Sequence, residues 1–566
     1  MHGRLKVRTS EEQAEAKRRE QQEKLKIYSS VTGKIFAKRE AEEHDEEGLE
    51  LTARILEKNP DFYTLWNYRR EILLSLKDTK NEEEIKKLIL LELELTQNCL
   101  KVNPKSYSAW HHRFWSMEFN PVGDWKRELE LCNYFLSQDE RNFHCWDYRR
   151  QVAQKCNVSC EEELKCSTRL IETNFSNYSA WHYRSTLLPK VHYDASKGSI
   201  TEDILLQEYN LIKNAAFTDP DDQSVWFYHR WLLGRSKTPL EILNLSILKP
   251  QNMVVVLFSE PVKVDCENLF LKVNGKPVSV SWQSANDSFA STVWKSNIPT
   301  SIEGIENFLH GDGNCEVTVN FFNGKEDCYL SSTMNGHKSF TWKKTNRADT
   351  FRSDLSAATK DVLEMELESC QQLTEMEPNC KWALFTFVLL MRALSNTAYK
   401  KEIEEFMEKL TEVDKTRKNY YRDLGSKFII EDFIGSLPVE AVEINLSNRK
   451  LTHLYHFDQL ILIEKINLSS NNLTSVYPLR YLICVKSINL DDNQLSSLEG
   501  LEDLQNLELL SLRKNSLKKL YNLEILKTCL NLRELFLEGN PVVKDEQYQS
   551  SLQMFPALKS IDASTL

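Results

Sequence analysis

Long apolar runs are missing from this chain. No stretch of about 18 apolar residues occurs, so we expect no membrane-spanning helix. The first residues, MHGRLKVRTSEEQ, are charged and carry no apolar segment, which argues against a secretory signal. The last residues, DASTL, do not form a prenylation motif. These absences predict a cytoplasmic protein.

An excess of basic residues is missing as well. The chain has 72 Lys and Arg against 83 Asp and Glu, and its net charge is −11. Nucleic-acid binding is therefore disfavoured, because phosphate contacts need a basic surface. The 13 cysteines include no CxxC pair. This pattern predicts reduced, mostly buried thiols and no zinc framework.

Catalytic signatures are also absent. The sequence has no phosphate loop, no HExxH, no GxSxG and no kinase motif. Histidines occur in the region of the repeats described next, but not at metal-ligand spacing, and we expect them to serve packing or the surface; they are His111, His112, His144, His182 and His229. The chain alone therefore offers no self-sufficient active site.

What the sequence does contain is a tryptophan-centred repeat. The five copies are NPDFYTLWNYRREIL (59–73), NPKSYSAWHHRFWSM (103–117), DERNFHCWDYRRQVA (139–153), NFSNYSAWHYRSTLL (174–188) and DPDDQSVWFYHRWLL (219–233). The tryptophans are separated by 44, 36, 35 and 45 residues. Such steps predict helical hairpins with insertions, whereas a tetratricopeptide array would keep a period of about 34 residues.

Each copy carries a helix start. Four of the five residues that stand four positions before the Trp are good N-caps, so the Trp is expected one turn into a helix; the five are Phe62, Ser106, Asn142, Asn177 and Asp222. In four copies an Arg follows the Trp by three residues, on nearly the same helix face. We expect this Arg to stack on a ring or to donate to carbonyls that end the preceding helix.

Residues that differ between copies are candidates for function. In the second copy, Lys105 stands two residues before Tyr107, at the start of the predicted helix. A cation beside helix N-termini suits an anion such as diphosphate. The alternative, which the periodicity alone favours, is an ordinary exposed lysine.

Two further patterns follow the helices. Residues 250–345 hold short β-branched and aromatic runs with period-two alternation, separated by NGKP and NGKE turns, which predicts an inserted antiparallel β-sandwich. From residue 444, LxLxxN segments recur at steps of 22, 22, 22 and 25 residues. These are typical of leucine-rich repeats, and Asn471, Asn493, Asn515 and Asn540 occupy the Asn position.

The predicted fold is multidomain and mainly α-helical. Helical-hairpin repeats occupy residues 1–240, an immunoglobulin-like β-sandwich 241–345, a return of the helical domain 346–440, and leucine-rich repeats 441–566. A degenerate sixth helical copy is expected at 375–391, around Trp382.

The Tyr-x-x-Trp-x-x-Arg units resemble the α-subunit repeats of protein prenyltransferases. With the inserted sandwich and the leucine-rich tail, the chain resembles the animal α subunits of the Rab geranylgeranyltransferase (type II) family. The resemblance implies a crescent of helical hairpins paired with a β subunit that binds zinc and geranylgeranyl diphosphate. It also implies transfer of the geranylgeranyl group to C-terminal cysteines of Rab GTPases, which an escort protein presents.

The resemblance implies a small set of site residues. Lys105 matches the lysine that contacts the diphosphate, and Tyr63, Tyr107, Asn142, Phe143 and His144 match positions that line the cavity. Phe143 lacks the hydroxyl that the tyrosine of farnesyltransferase carries there. His2, near the start of the chain, is a candidate ligand for the partner's zinc, and an exposed histidine without such a role is the alternative. The rival function is a non-catalytic adaptor, because helical and leucine-rich solenoids commonly bind proteins.

Overall fold

The protein folds into two units in the computed structural model. The structure describes residues 11–120, 123–194, 199–234, 240–265, 267–299, 314–322, 324, 327–334, 340–342, 351, 359–548, 552–555, 557–562 and 564–565. One unit comprises Met1–Ala216 and Asp222–His229, and the other comprises Phe217–Asp221 and Arg230–Leu566. Within the described residues, no helix is both long and apolar enough to cross a membrane.

The first unit is a series of antiparallel helix pairs. Its helices are α1 Glu11–Glu40, α2 Glu46–Leu56, α3 Tyr63–Lys77, α4 Glu82–Val102, α5 Tyr107–Phe119, α6 Trp125–Gln138, α7 Phe143–Lys155, α8 Cys160–Thr173, α9 Tyr178–Val191, α10 Glu202–Thr218 and α11 Gln223–Leu233. A short antiparallel ribbon, β1 Tyr193–Asp194 and β2 Ser199–Ile200, lies between α9 and α10. The prediction of repeated helical hairpins is confirmed.

The predicted caps explain where α5, α7 and α9 begin. The Ser106 hydroxyl accepts from the N–H of Ala109, and the side chain of Asn177 accepts from the N–H of Ala180. Phe62 offers no acceptor, and α3 begins without a side-chain cap. The tryptophans are buried one turn in. The indole N–H groups of Trp66, Trp110, Trp146 and Trp181 each donate to a carbonyl of the preceding turn, as Trp110 Nε1 does to the Pro104 carbonyl at 2.9 Å.

The repeated arginines have a partner that the sequence analysis missed. Arg113 makes two hydrogen bonds of 2.7 Å to the carboxylate of Glu128, on the first helix of the next repeat. The same guanidinium donates to the Leu93 carbonyl in the middle of the preceding helix, whereas the expected acceptors were the carbonyls at that helix's end. Equivalent buried pairs join Arg69 to Glu92, Arg149 to Glu163 and Arg184 to Glu208. Each arginine therefore ties its repeat to the following one.

The sequence does carry a signal for these pairs. Glu92, Glu128, Glu163 and Glu208 each stand 18 residues before the Trp of their own copy. A buried carboxylate needs a charged or hydrogen-bonded partner. A fixed Glu in the repeat, read together with the fixed Arg, would have predicted the pairing.

The second unit begins with the β-sandwich. Its strands are β3 Ile242–Leu248, β4 Met253–Val262, β5 Leu269–Val273, β6 Lys276–Val278, β7 Gln283–Ser284, β8 Ser291–Asn297, β9 Cys315–Phe322, β10 Asp327–Met334 and β11 Phe340–Trp342. They form one sheet in the order β10-β9-β5-β6 and another in the order β11-β3-β4-β8-β7, with antiparallel pairs throughout. The predicted antiparallel sandwich is confirmed.

The residues described between the sandwich and the tail form four helices, which are α12 Lys360–Met376, α13 Lys381–Ser395, α14 Lys400–Val413 and α15 Lys418–Ser436. Residues 375–391, the predicted sixth copy, cover the end of α12 and most of α13. Cys380 takes the cap position, and its sulfur accepts from the N–H of Ala383 at 3.5 Å.

The tail is a leucine-rich solenoid whose strands pair in parallel, apart from an antiparallel last pair. Its strands are β12 Glu443–Asn445, β13 Lys465–Asn467, β14 Ser487–Asn489, β15 Leu509–Ser511, β16 Glu534–Phe536, β17 Ser560–Ile561 and β18 Ser564–Thr565, with a short helix, α16, at Tyr521–Glu524. The predicted asparagines bridge adjacent turns, as Asn493 does by donating to the carbonyls of Leu468 and Leu490. The leucine core continues onto Ile430 and Ile434 of α15.

The sandwich packs directly on the solenoid within this second unit. Val255, Leu257 and Val293 share an apolar cluster with Ile461. At its edge, Thr292 Oγ1 donates to Asp458 Oδ2 at 2.7 Å. Burial raises the pKa of Asp458, while its bond to Thr292 opposes that rise. This contact between separate domains was not predicted.

Candidate functional site

The candidate site lies at the N-terminal ends of helices in the first unit. Tyr63, Tyr107 and Phe143 are the first residues of α3, α5 and α7. Their exposed fractions are 56%, 68% and 50%. Large aromatic side chains that recur at one helix position and stay exposed are not explained by the core of the repeat.

Three of the predicted residues are in contact. The ring of Tyr107 lies 6.0 Å from that of Phe143 and 4.1 Å from that of His144, edge-on in both cases. His144 is buried, and burial lowers its pKa below the ordinary value of 6.5, an effect to which the nearby Lys105 charge adds. His144 is therefore neutral at pH 7 and offers a hydrogen-bonding ring without a charge.

Asn142 is placed differently from the expectation of an open cavity residue. Its side chain is 1% exposed. Its Nδ2 donates to the Pro104 carbonyl at 2.8 Å, and its Oδ1 accepts from the N–H groups of His144 and Cys145. Both ends of the amide are thus engaged, so Asn142 fixes the α5 and α7 starts against each other.

Lys105 lies on the exposed rim of this group. Its side chain is 63% exposed, and Nζ is 3.4 Å from Asp139 Oδ2. Its backbone N–H donates to Asn103 Oδ1, which fixes the turn before α5. The ammonium group is consequently available to an anionic ligand.

Two predicted residues are not joined to this group. Tyr63 occupies the same helix position one repeat earlier, and within the described residues no ring contact links it to Tyr107. His2 lies outside the described residues. In the part of the chain that is described, no set of three or more His, Cys, Asp or Glu side chains could hold a metal ion.

One aromatic residue of the same kind, Tyr178, was missed together with its exposed neighbour Phe227. Tyr178, the first residue of α9, is 48% exposed, and its ring lies 6.2 Å from that of Phe227, which is 44% exposed. Tyr178 stands three residues before its Trp, as Tyr63, Tyr107 and Phe143 do. That shared spacing was the available signal.

The second repeat also differs inside its core. Two residues after the Trp the other copies have Tyr, and Tyr148 Oη donates to Glu128 at 2.6 Å. Here the residue is His112, which is fully buried, lies 2.9 Å from Glu92 and packs against Trp66. Burial lowers the pKa of His112. The charges of Arg69 and Arg70 lower this pKa further, whereas Glu92 raises it. Burial alone would raise the pKa of Glu92, but Arg69 and His112 bring it to about 2.

We expect His112 to make the protein sensitive to acid. Because its folded pKa lies below 6.5, the stability contributed by neutral His112 is complete above pH 6.5 and is lost as the pH falls towards the folded value. The loss is at most about 1.4 kcal/mol per pH unit. His112→Tyr, which restores the residue of the other copies, should flatten this slope in urea unfolding between pH 7.5 and 5. The exposed control His182→Tyr should keep the slope of the wild type. Equal slopes for the wild type and both variants would show that His112 is not the source of the acid sensitivity.

Comparison with known proteins agrees with this architecture. The family model described as "Protein prenyltransferase alpha subunit repeat" matches residues 45–76, 89–119, 125–156, 160–191 and 205–236. The model described as "Rab geranylgeranyl transferase alpha-subunit, insert domain" matches residues 242–339. None of the five repeat matches covers the predicted sixth copy.

A curated mouse protein, "Geranylgeranyl transferase type-2 subunit alpha", is 43% identical over 472 residues, which cover 82% of each chain. The human protein of that name is also 43% identical over 82% of each chain. The chain belongs to the geranylgeranyl transferase type-2 α-subunit family. Among solved structures, "Candida albicans protein geranylgeranyltransferase-I complexed with GGPP" is similar with 26% identity and a TM-score of 0.31, over 37% of this chain and 66% of that one.

Type-2 α subunits also occur in shorter forms. The Dictyostelium discoideum protein of the same name is 41% identical over 251 residues, which make up 80% of its length but only 44% of this chain. That relative is therefore little more than half as long, and it lacks room for counterparts of all the domains of this chain.

Proposed function

We propose that this chain is the α subunit of a cytoplasmic heterodimer that transfers a geranylgeranyl group from geranylgeranyl diphosphate to C-terminal cysteines of Rab GTPases presented by an escort protein. The observation that carries the proposal is the 43% identity to the mouse type-2 α subunit over 82% of both chains. The rival function of a non-catalytic adaptor has no such support, because the mouse, human, Dictyostelium and Schizosaccharomyces relatives are all named as geranylgeranyl transferase type-2 α subunits.

The helical repeats would carry the chemistry on this side of the active site. Lys105 would contact the diphosphate, because an exposed ammonium beside the start of α5 attracts an anion. Tyr107, Phe143 and neutral His144 would line the cavity, and Asn142 would hold the two helix starts at a fixed spacing. Tyr63 would extend this wall by one repeat.

Zinc would belong to the β subunit. The described residues of this chain offer no cluster that fits a metal ion. On the partner, zinc would keep the acceptor cysteine as a thiolate at neutral pH. The part proposed for this chain is limited to binding the diphosphate and shaping the cavity.

The proposal is tested by reconstitution. The chain is co-expressed with a type-2 β subunit, and transfer of a labelled geranylgeranyl group to a Rab protein is measured with escort protein present. We expect transfer by the heterodimer and none by the isolated chain. A stable heterodimer without transfer, under conditions in which the mouse α subunit supports it, would leave the adaptor as the better description.

Lys105→Ala should slow transfer roughly tenfold or more, because a preorganised cation then no longer stabilises the departing diphosphate. The side chain is exposed, so the heterodimer should form normally. The matched control is Lys101→Ala, an exposed lysine in the last turn of α4, which should leave the rate unchanged. An unaltered single-turnover rate for Lys105→Ala would remove Lys105 from the site.

A further inference from the structure

Three copies in the first unit begin with the same turn. The residue seven positions before the Trp accepts from the N–H two residues later, as Asn103 does from Lys105 at 3.1 Å, Asp139 from Arg141 at 3.1 Å and Asn174 from Ser176 at 2.9 Å. One oxygen of the side chain is thus used to hold the turn in all three copies.

The other end of the same side chain reaches back to the preceding copy. Asn103 Nδ2 donates to the Asp61 carboxylate at 2.9 Å, and Asn174 Nδ2 donates to the Glu140 carboxylate. In both links an amide donates to an acid. The turn residue is Asn and its partner in the earlier copy is negative.

At Lys105 the polarity of this link is reversed. The turn residue is Asp139, and its Oδ2 faces Lys105 Nζ at 3.4 Å. The turn itself needs only one acceptor oxygen, which Asn would supply equally well. The second carboxylate oxygen is therefore explained by Lys105 and not by the turn. Asp139 is 37% exposed, so this is a solvent-screened pair that another anion can replace.

We propose that Asp139 is a positioning residue, the resting counter-ion of Lys105, and that Lys105 exchanges this carboxylate for the diphosphate of the lipid substrate. This inference rests on the proposed function. Without substrate, Asp139 keeps the flexible lysine near the start of α5 rather than free in solvent. When diphosphate binds, it competes with Asp139 for the ammonium. The affinity of Lys105 for diphosphate is lowered, because the carboxylate has to be displaced.

The test uses the complete heterodimer with escort protein and a Rab substrate. Inorganic diphosphate serves as the probe, and its inhibition constant against transfer is measured together with KM for geranylgeranyl diphosphate and kcat. Asp139→Asn keeps the acceptor for the Arg141 N–H and removes only the charge. We expect the inhibition constant and KM to fall by roughly threefold, the range of an exposed ion pair, with little change in kcat.

Asp139→Asn should change these constants only through its interaction with Lys105. In the Lys105→Ala background, adding Asp139→Asn should change the inhibition constant and KM by much less than threefold. Asp219→Asn is the matched control, because Asp219 makes the same turn, to the Asp221 N–H at 3.3 Å, and it should leave both constants unchanged. The melting temperature of Asp139→Asn should equal that of the wild type.

The outcomes separate this inference from the proposed function. If the wild-type heterodimer transfers no lipid, the proposed function fails. If transfer occurs and Lys105→Ala weakens diphosphate inhibition, but Asp139→Asn leaves it unchanged or weakens it, the counter-ion role of Asp139 is wrong. If Asp139→Asn instead tightens diphosphate inhibition equally in the wild-type and Lys105→Ala backgrounds, the proposal is also overturned, since the carboxylate would then act on the diphosphate directly.

Discussion

Arg113→Met should destabilise the helical repeats by about 3–5 kcal/mol, because it leaves a buried carboxylate without its cation. Arg113 is 3% exposed and Glu128 is 2% exposed. After the change, Glu128 would keep only the Tyr148 hydroxyl, at 2.6 Å, and the Leu93 carbonyl would lose a donor. Calorimetry of the full chain should show the loss, and hydrogen exchange should place it in α4 to α7.

Two variants give this prediction its controls. Arg150→Met makes the same chemical change at an exposed pair with Asp147 and should alter stability by less than about 1 kcal/mol. Arg113→Met combined with Glu128→Leu should recover part of the loss, since no charge is then buried alone. If Arg113→Met is as mild as Arg150→Met, the pair does not tie the repeats together.

Gly500→Ala should destabilise the leucine-rich solenoid by at least about 2 kcal/mol, because the new methyl group meets fixed backbone. Gly500 has φ of +105°, which side-chain-bearing residues rarely adopt. An added Cβ would lie 2.4 Å from Tyr477 Cα and 2.6 Å from the Val476 carbonyl oxygen. Neither atom can move without shifting the neighbouring turn of the solenoid.

The control for this change is also a glycine. Gly425 lies in α15, an added Cβ there meets nothing within 4 Å, and Gly425→Ala should be neutral or stabilise by up to about 1 kcal/mol. The two variants are compared by urea unfolding, with hydrogen exchange of the solenoid amides as the readout. Equal stability for both would show that the solenoid absorbs the extra methyl group.

Periodic features could be predicted from the sequence, because the residues that pack each repeat recur at the same positions in several copies. Ser106 and Asn177 cap helices where they were expected, and Asn493 bridges solenoid turns as the LxLxxN pattern predicted. The Glu that pairs with each Arg is periodic too, and it was missed because the Arg was assigned only to ring stacking or to carbonyls at the end of the preceding helix. That error was one of interpretation, since the pattern itself is present in the sequence.

The candidate site was only partly accessible. Tyr107, Phe143 and His144 do meet, which follows from helix starts that repeat at adjacent positions. The inward turn of Asn142 could not be read from its type, because an N-cap and a cavity residue favour the same side chain. The reversed link between Asp139 and Lys105 needed coordinates, since its partners are 34 residues apart in neighbouring copies.

The sequence by itself determined the three architectures of this protein, because tryptophan, β-branched and leucine patterns each dictate one local geometry that repeats. Only the tertiary structure decided what lies between them. Thr292 meets Asp458 and Asp287 meets Arg480 across the sandwich and the solenoid, more than 160 residues apart along the chain. Such a contact is made once. Shape and burial select it, and no period in the sequence encodes it.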